Sequence, residues 1–143
     1  MKSVAGIGHV AIRVKDVDRT LAFYVEKLGF KEMFRLEREG KLWIVYLRIT
    51  DTQFLEVFPD AIGDRAPDRE ANGLNHVCLE VNDIDAAVTE LTQTGVPLAR
   101  EKQLGADGNF QAWIEDPDGN RIELMQMAAG SMQREAIKRL RAE

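Results

Sequence analysis

Two histidines and two glutamates, spaced as a repeated pair, are the residues of this chain best suited to chemistry. His9 and His76 are its only histidines, 67 positions apart, and Glu56 and Glu123 are separated by the same interval. Neutral imidazole nitrogens and carboxylate oxygens bind Zn, Ni, Co, Fe(II) or Mn, and a set without thiolate argues against a soft-metal site. Four protein ligands on a six-coordinate ion leave two adjacent positions for water or a bidentate substrate. Such a centre acts as a Lewis acid, and a carboxylate that leaves it when substrate binds can serve as general base. A single strand histidine is more often structural than ligating, so the argument rests on the set of four. A glutamate close to Phe54 and Phe58, or between Ile122 and Leu124, asks for a cationic partner, because burying a lone carboxylate is costly. A metal, Arg13 or Arg121 could supply it.

The elements that must carry these residues repeat as well. Residues 6–18 (Gly6-Ile7-Gly8-His9-Val10 onward) align with residues 73–85 (Gly73-Leu74-Asn75-His76-Val77 onward), and Phe54-Leu55-Glu56-Val57-Phe58 aligns with Arg121-Ile122-Glu123-Leu124-Met125. Asp51 likewise falls over Asp118. Internal repeats of this kind mark a duplicated supersecondary unit. Each half reads as βαβββ. In the first, residues 6–14 alternate as a strand, Asp16-Val17-Asp18 offers caps, and Leu21, Ala22, Val25 and Leu28 recur at helical spacing up to Gly29. Strands are expected over 30–37, 42–49 and 53–58. In the second, a strand over 74–81 and a helix over 84–94 lead to strands over 98–102, 110–115 and 121–127, the last two joined by the tight turn Asp116-Pro117-Asp118-Gly119.

Alternation along strands puts Val10, Ile12 and Val14 under the helix and His9, Ala11 and Arg13 on the opposite face. Val77, Leu79 and Val81 are expected to be covered in the same way, with His76, Cys78 and Glu80 opposite. The expected class is therefore α+β: two βαβββ repeats, 6–58 and 73–127, forming curved mixed sheets around a metal site within a single domain over 1–143. Residues 59–72, charged and bearing Pro59, Gly63 and Pro67, read as the linker. A tail over 131–143 reads as a short helix capped by Ser131, with Met132, Ala136, Ile137 and Leu140 on one stripe. Trp43, Tyr46, Phe110 and Trp113 fall on strands of the concave sheets, and Asp107-Gly108-Asn109 reads as a mouth loop.

Composition narrows the class. The chain has 143 residues, 45% of them hydrophobic and 30% charged, as expected of a globular protein. A net charge of −5 gives no reason to expect a nucleic-acid partner, which would favour a basic face. No apolar run approaches the ~20 residues that span a bilayer, so no membrane partner is expected. Its single cysteine, Cys78, excludes an intramolecular disulfide and fits a cytoplasmic location.

Together these motifs, with Phe23-Tyr24 and Leu28-Gly29-Phe30 after the first histidine and Asn120-Arg121-Ile122-Glu123-Leu124 at the end, resemble the vicinal oxygen chelate superfamily over residues 6–127. That superfamily includes glyoxalase I, methylmalonyl-CoA epimerase, thiol transferases, extradiol dioxygenases and bleomycin-resistance proteins. The ligand set is most similar to that of bacterial glyoxalase I (lactoylglutathione lyase). This resemblance implies metal ligation by His9, Glu56, His76 and Glu123, and catalytic proton transfer by Glu123 and Glu56. The ion implied is Ni, Co or Zn, with Mn or Fe as further candidates. Arg13 matches a substrate-contacting arginine, whereas Asp60 stands where that enzyme is expected to carry asparagine, and Asn72 where the human type carries arginine.

The implied substrate is a small molecule, the hemithioacetal of a 2-oxoaldehyde and a thiol, isomerised through a metal-stabilised enediolate by a homodimer. The alternatives are a metal-dependent epimerase, which usually has Gln where Glu56 stands, a non-catalytic small-molecule-binding resistance protein, and a dioxygenase or thiol transferase.

Overall fold

Alternating β-branched residues and well-placed caps set the local structure. The first strand, β1 (His9–Arg13), runs into Asp16, whose carboxylate accepts from the Arg19 amide at 3.0 Å and caps α1 (Val17–Leu21). Asp83, at the equivalent repeat position, accepts from the amides of Asp85 and Ala86 and caps α2 (Ile84–Gln93). A computed structural model of the chain describes residues 3–142.

The chain divides between Ala66 and Pro67 into two compact units, one per repeat. In the first, β2 (Lys31–Arg38), β3 (Lys41–Arg48) and β4 (Phe54–Phe58) join β1 in a sheet of order β1-β4-β3-β2. In the second, β5 (Val77–Glu80), β6 (Arg100–Leu104), β7 (Phe110–Glu115) and β8 (Arg121–Gln126) form a sheet of order β5-β8-β7-β6. In both, the outer strand carrying the histidine segment runs parallel to its neighbour and the remaining pairs are antiparallel. This is the α+β class and βαβββ order that the repeat predicts.

One difference between the halves has a local cause. Thirteen positions separate the cap Asp16 from Gly29, but twelve separate Asp83 from Gly95. The first unit absorbs its extra residue by continuing α1 as a π-helical segment, Ala22–Lys27, in which the Leu28 amide donates to the Phe23 carbonyl five residues back. Gly29 and Gly95 then close both helices at positive φ, 76° and 69°.

Each sheet buries one face. Val14, Phe23, Tyr24, Val45, Leu47, Leu55 and Val57 form the core of the first unit, and Ile84, Leu91, Val96, Ala112, Ile114, Ile122 and Leu124 that of the second. At about 25 cal/mol per Å² of apolar surface removed from water, this burial is the main term holding each sheet to its helix. His9, Ala11, Arg13, Cys78 and Glu80 are exposed, as alternation predicts. The predicted strand over 74–81 is shorter than expected, so His76 sits just ahead of β5. A final helix, α3 (Met132–Ala142), begins after buried Ser131, whose hydroxyl accepts from the Arg134 amide, and Met132, Ile137 and Leu140 of its apolar stripe are exposed. Among the described residues no helix is long and apolar enough to cross a membrane.

Candidate metal-binding half-sites

Cross-strand register brings one imidazole to one carboxylate in each unit. In the first, Glu56 is registered between Ala11 on β1 and Tyr46 on β3. Its carboxylate lies 3.5 Å from Nδ1 of His9, the first residue of β1. Glu56 itself is buried, held between Leu55 and Val57 on the strand. The Tyr46 hydroxyl donates to it, and this bond, with burial and the carboxylate charge, raises the phenol above its ordinary pKa. Tyr46 in turn stacks on Phe34 at 4.5 Å between ring centroids.

In the second unit Glu123 is registered between Cys78 on β5 and Trp113 on β7. Its carboxylate lies 3.1 Å from Nε2 of His76. The other ring nitrogen, Nδ1, is 2.9 Å from Oδ1 of Asn75, and the imidazole edge meets the Trp113 ring at 4.8 Å. Cys78 is exposed as a residue, but its thiol sits against Glu123 and is partly desolvated. That burial first and the Glu123 carboxylate second push it up to about 12, so it stays protonated at neutral pH and donates to Glu123.

The two arginines that could have neutralised these glutamates are engaged elsewhere. Arg13 donates to the Pro59 carbonyl at 2.7 Å and lies over the Phe58 ring, fixing the chain as it leaves β4. Arg121 donates to the backbone carbonyls of Pro67 and Asn75. Each carboxylate therefore faces an imidazole rather than a guanidinium. Imidazole plus carboxylate is a donor pair suited to a borderline divalent ion, and each unit holds one such pair. Among the described residues no group of three His, Cys, Asp or Glu side chains is by itself arranged to hold a metal. What each unit supplies is one imidazole–carboxylate pair.

Sequence reasoning named the four pair members but not the residues that orient them. Tyr46 and Trp113 were placed only on the sheet strands, yet they are a repeat pair, 67 positions apart, each registered opposite its unit's glutamate. That equivalence could have flagged both. Asn75 has no such signal, because Gly8 stands at its repeat position. Asn109, expected in a mouth loop, is instead fully buried, with its amide bonded to Asp107, Gln133 and the Ala128 amide, and so ties that loop to α3.

Comparison with known proteins agrees with the architecture. The chain is 29% identical to a lactoylglutathione lyase of Pseudomonas putida, over 82% of this chain and 83% of the relative. It is 30% identical to the mitochondrial methylmalonyl-CoA epimerase of Homo sapiens, over 84% of this chain and 73% of that protein. The crystal structure of a glyoxalase family protein from Enterococcus faecalis superposes with a TM-score of 0.74 at 31% identity, covering 85% of this chain and 97% of that one. The family model of the Glyoxalase/Bleomycin resistance protein/Dioxygenase superfamily matches residues 6–124, and the chain belongs to that superfamily.

Proposed function

We propose that the protein is a divalent-metal-dependent lyase or isomerase that moves a proton at a carbon beside a carbonyl or hemithioacetal group, in the manner of glyoxalase I. The observation that supports this reading is the His–Glu pair occurring twice at equivalent repeat positions, His9 with Glu56 and His76 with Glu123. These four side chains are the proposed ligands of one ion, preferably Ni, Co or Zn, with the two pairs contributed by one chain or by two copies in a homodimer. The ion would supply Lewis-acid charge to the substrate oxygens as the neighbouring carbon loses its proton.

The chain's own groups divide the remaining work. Glu56, buried and gripped by the Tyr46 hydroxyl, is the steadier carboxylate. Glu123 accepts from the weak thiol donor of Cys78 where Glu56 accepts from a phenol, so it is freer to change partners and is assigned as the base. It takes the proton from the substrate C–H, whose electron pair moves toward the adjacent oxygen. It then returns the proton to the neighbouring carbon, as in a glyoxalase, or to the same carbon, as in an epimerase. Arg13, with one donor fixed at Pro59, retains exposed N–H groups for an anionic part of the substrate.

The epimerase reading is kept because the similarity to methylmalonyl-CoA epimerase is as strong as that to the lyase. Purified protein should gain thermal stability on adding Ni, Co or Zn, and turn over methylglyoxal with glutathione or another thiol. Interconversion of an acyl-CoA epimer without thiol-dependent turnover would replace the lyase by the epimerase. A protein that neither retains nor gains stability from any of these ions overturns the metal-dependent reading altogether.

A further inference from the structure

The surroundings of His76 contain a chain of hydrogen bonds in which each donor or acceptor role constrains the next. The Arg69 carbonyl can only accept, and it lies 2.7 Å from Nδ2 of Asn75, which fixes that end of the amide as the donor. Oδ1 of Asn75 must then be the atom 2.9 Å from Nδ1 of His76, and because an amide oxygen only accepts, Nδ1 must carry the proton. A neutral His76 therefore presents a lone pair on Nε2, and Nε2 is the atom 3.1 Å from the Glu123 carboxylate. Two lone-pair donors facing each other at this distance require a cation, either a shared proton or a metal ion, between or beside them.

The backbone of Asn75 is also held. Nη2 of Arg121 donates to its carbonyl at 2.5 Å, while Nη1 donates to the Pro67 carbonyl at 3.1 Å. Arg121 is two residues before Glu123 on β8, so the strand that presents the carboxylate also anchors the segment that presents the imidazole. This clamp leaves the Arg121 Nε buried without a hydrogen-bond partner, so the guanidinium's hydrogen bonds to these two carbonyls come at the expense of its third nitrogen. The Trp113 ring, edge-on to the imidazole, limits its rotation from the other side.

We propose that Asn75, braced by Arg121, is a positioning residue that locks His76 in the Nδ1–H tautomer and aims Nε2 at the cation shared with Glu123. The purpose of this brace rests on the metal-dependent function proposed above; its geometry does not. A partner that fixes the tautomer of a ligating histidine typically contributes tenfold to a hundredfold in metal affinity.

The test reads the tautomer directly. In metal-free, ¹⁵N-labelled protein at a pH where both imidazoles are neutral, long-range ¹H–¹⁵N correlations should show His76 as Nδ1–H, with His9→Gln used to assign the two rings. Asn75→Leu, similar in size but without the acceptor, should move His76 toward Nε2–H and weaken Zn or Co binding by about tenfold or more. Asn75→Asp, which keeps an acceptor oxygen, should retain Nδ1–H and bind metal within a few-fold of the native protein.

A native His76 found as Nε2–H, or an Asn75→Leu protein with unchanged tautomer, overturns the brace. So does a loss of thermal stability in Asn75→Leu without any change in tautomer, which would make Asn75 merely structural. The native spectrum decides the matter even if Asn75→Leu fails to fold. A locked Nδ1–H tautomer in a protein that binds no metal would sink the metal-dependent function and leave the brace standing. An unlocked tautomer with tight metal binding would do the reverse.

Discussion

In the first unit the His9 side chain is 54% exposed and meets its carboxylate at 3.5 Å, whereas in the second His76 is 31% exposed and meets its carboxylate at 3.1 Å. The carboxylates are ordered the other way, with Glu56 9% exposed and Glu123 14%. The aromatic residue at the same repeat position accounts for much of this inversion. Tyr46 directs its hydroxyl at Glu56 and leaves His9 to solvent; Trp113 has no hydroxyl, sends its indole N–H to Gln111 and packs its ring on His76. Gly8 and Asn75 widen the contrast, since only the second unit has a side chain able to hold the imidazole from behind. A duplicated pair has thus been specialised, one copy fixing its carboxylate and the other its imidazole. A base must be able to leave its ion, and this difference is the ground on which the proposed function gives the proton transfer to Glu123 rather than Glu56.

The largest expected effect tests that assignment. Glu123→Gln should lower kcat by about 10²- to 10⁴-fold, the usual scale for losing a general base. Glu56→Gln should act mainly on metal affinity and leave a larger residual kcat once the ion is saturating. Steady-state kinetics at several metal concentrations separate the two, and equal losses of kcat in both variants would break the functional asymmetry. Next in size, removing a preorganised ligand should cost more than removing a loose one. His76→Ala should therefore weaken metal binding by about tenfold more than His9→Ala, read by competition with a chelating dye. The opposite order would show that exposure of His9 is no measure of its hold on the ion. Smaller again is Tyr46→Phe, which removes the hydroxyl donor from Glu56 and should weaken metal binding by about tenfold, the lower end for a residue that orients a ligand. Trp113→Phe, which keeps a ring against His76, should change it less.

Both pairs were legible in the sequence because His9, Glu56, His76 and Glu123 fall on the repeat, and strand alternation placed His9 on its sheet face correctly. The caps Asp16 and Asp83 and the glycine stops were legible because capping needs only local chemistry. The π-helical segment was not, because helical periodicity at Leu21, Ala22, Val25 and Leu28 does not reveal a one-residue excess unless the two halves are counted against each other. Tyr46 and Trp113 could be placed on strands, but their contrasting partners depend on which side-chain atoms each ring carries toward its glutamate. The clamp of Arg121 on Pro67 and Asn75 joins residues 54 and 46 positions apart. Neither periodicity nor the repeat reports it, since Phe54 occupies the equivalent position in the first unit.

The smallest expected effect concerns the remaining difference at the carboxylates, where Cys78 occupies in the second unit the position of Ala11 in the first. Burial, followed by the Glu123 charge, holds its thiol up at about 12, so the group is uncharged at neutral pH and offers Glu123 a weak S–H donor. Cys78→Ala makes the second unit like the first at this position without altering charge. Its stability should stay within about 0.5 kcal/mol of the native protein, and its kcat within about threefold, because one weak hydrogen bond to a carboxylate is all that is lost. Thermal melts and steady-state kinetics on the same preparation check both values. A collapse of kcat with the melt unchanged would mean that the thiol takes part in the chemistry, and the second half-site would then hold a functional group for which the first has no counterpart.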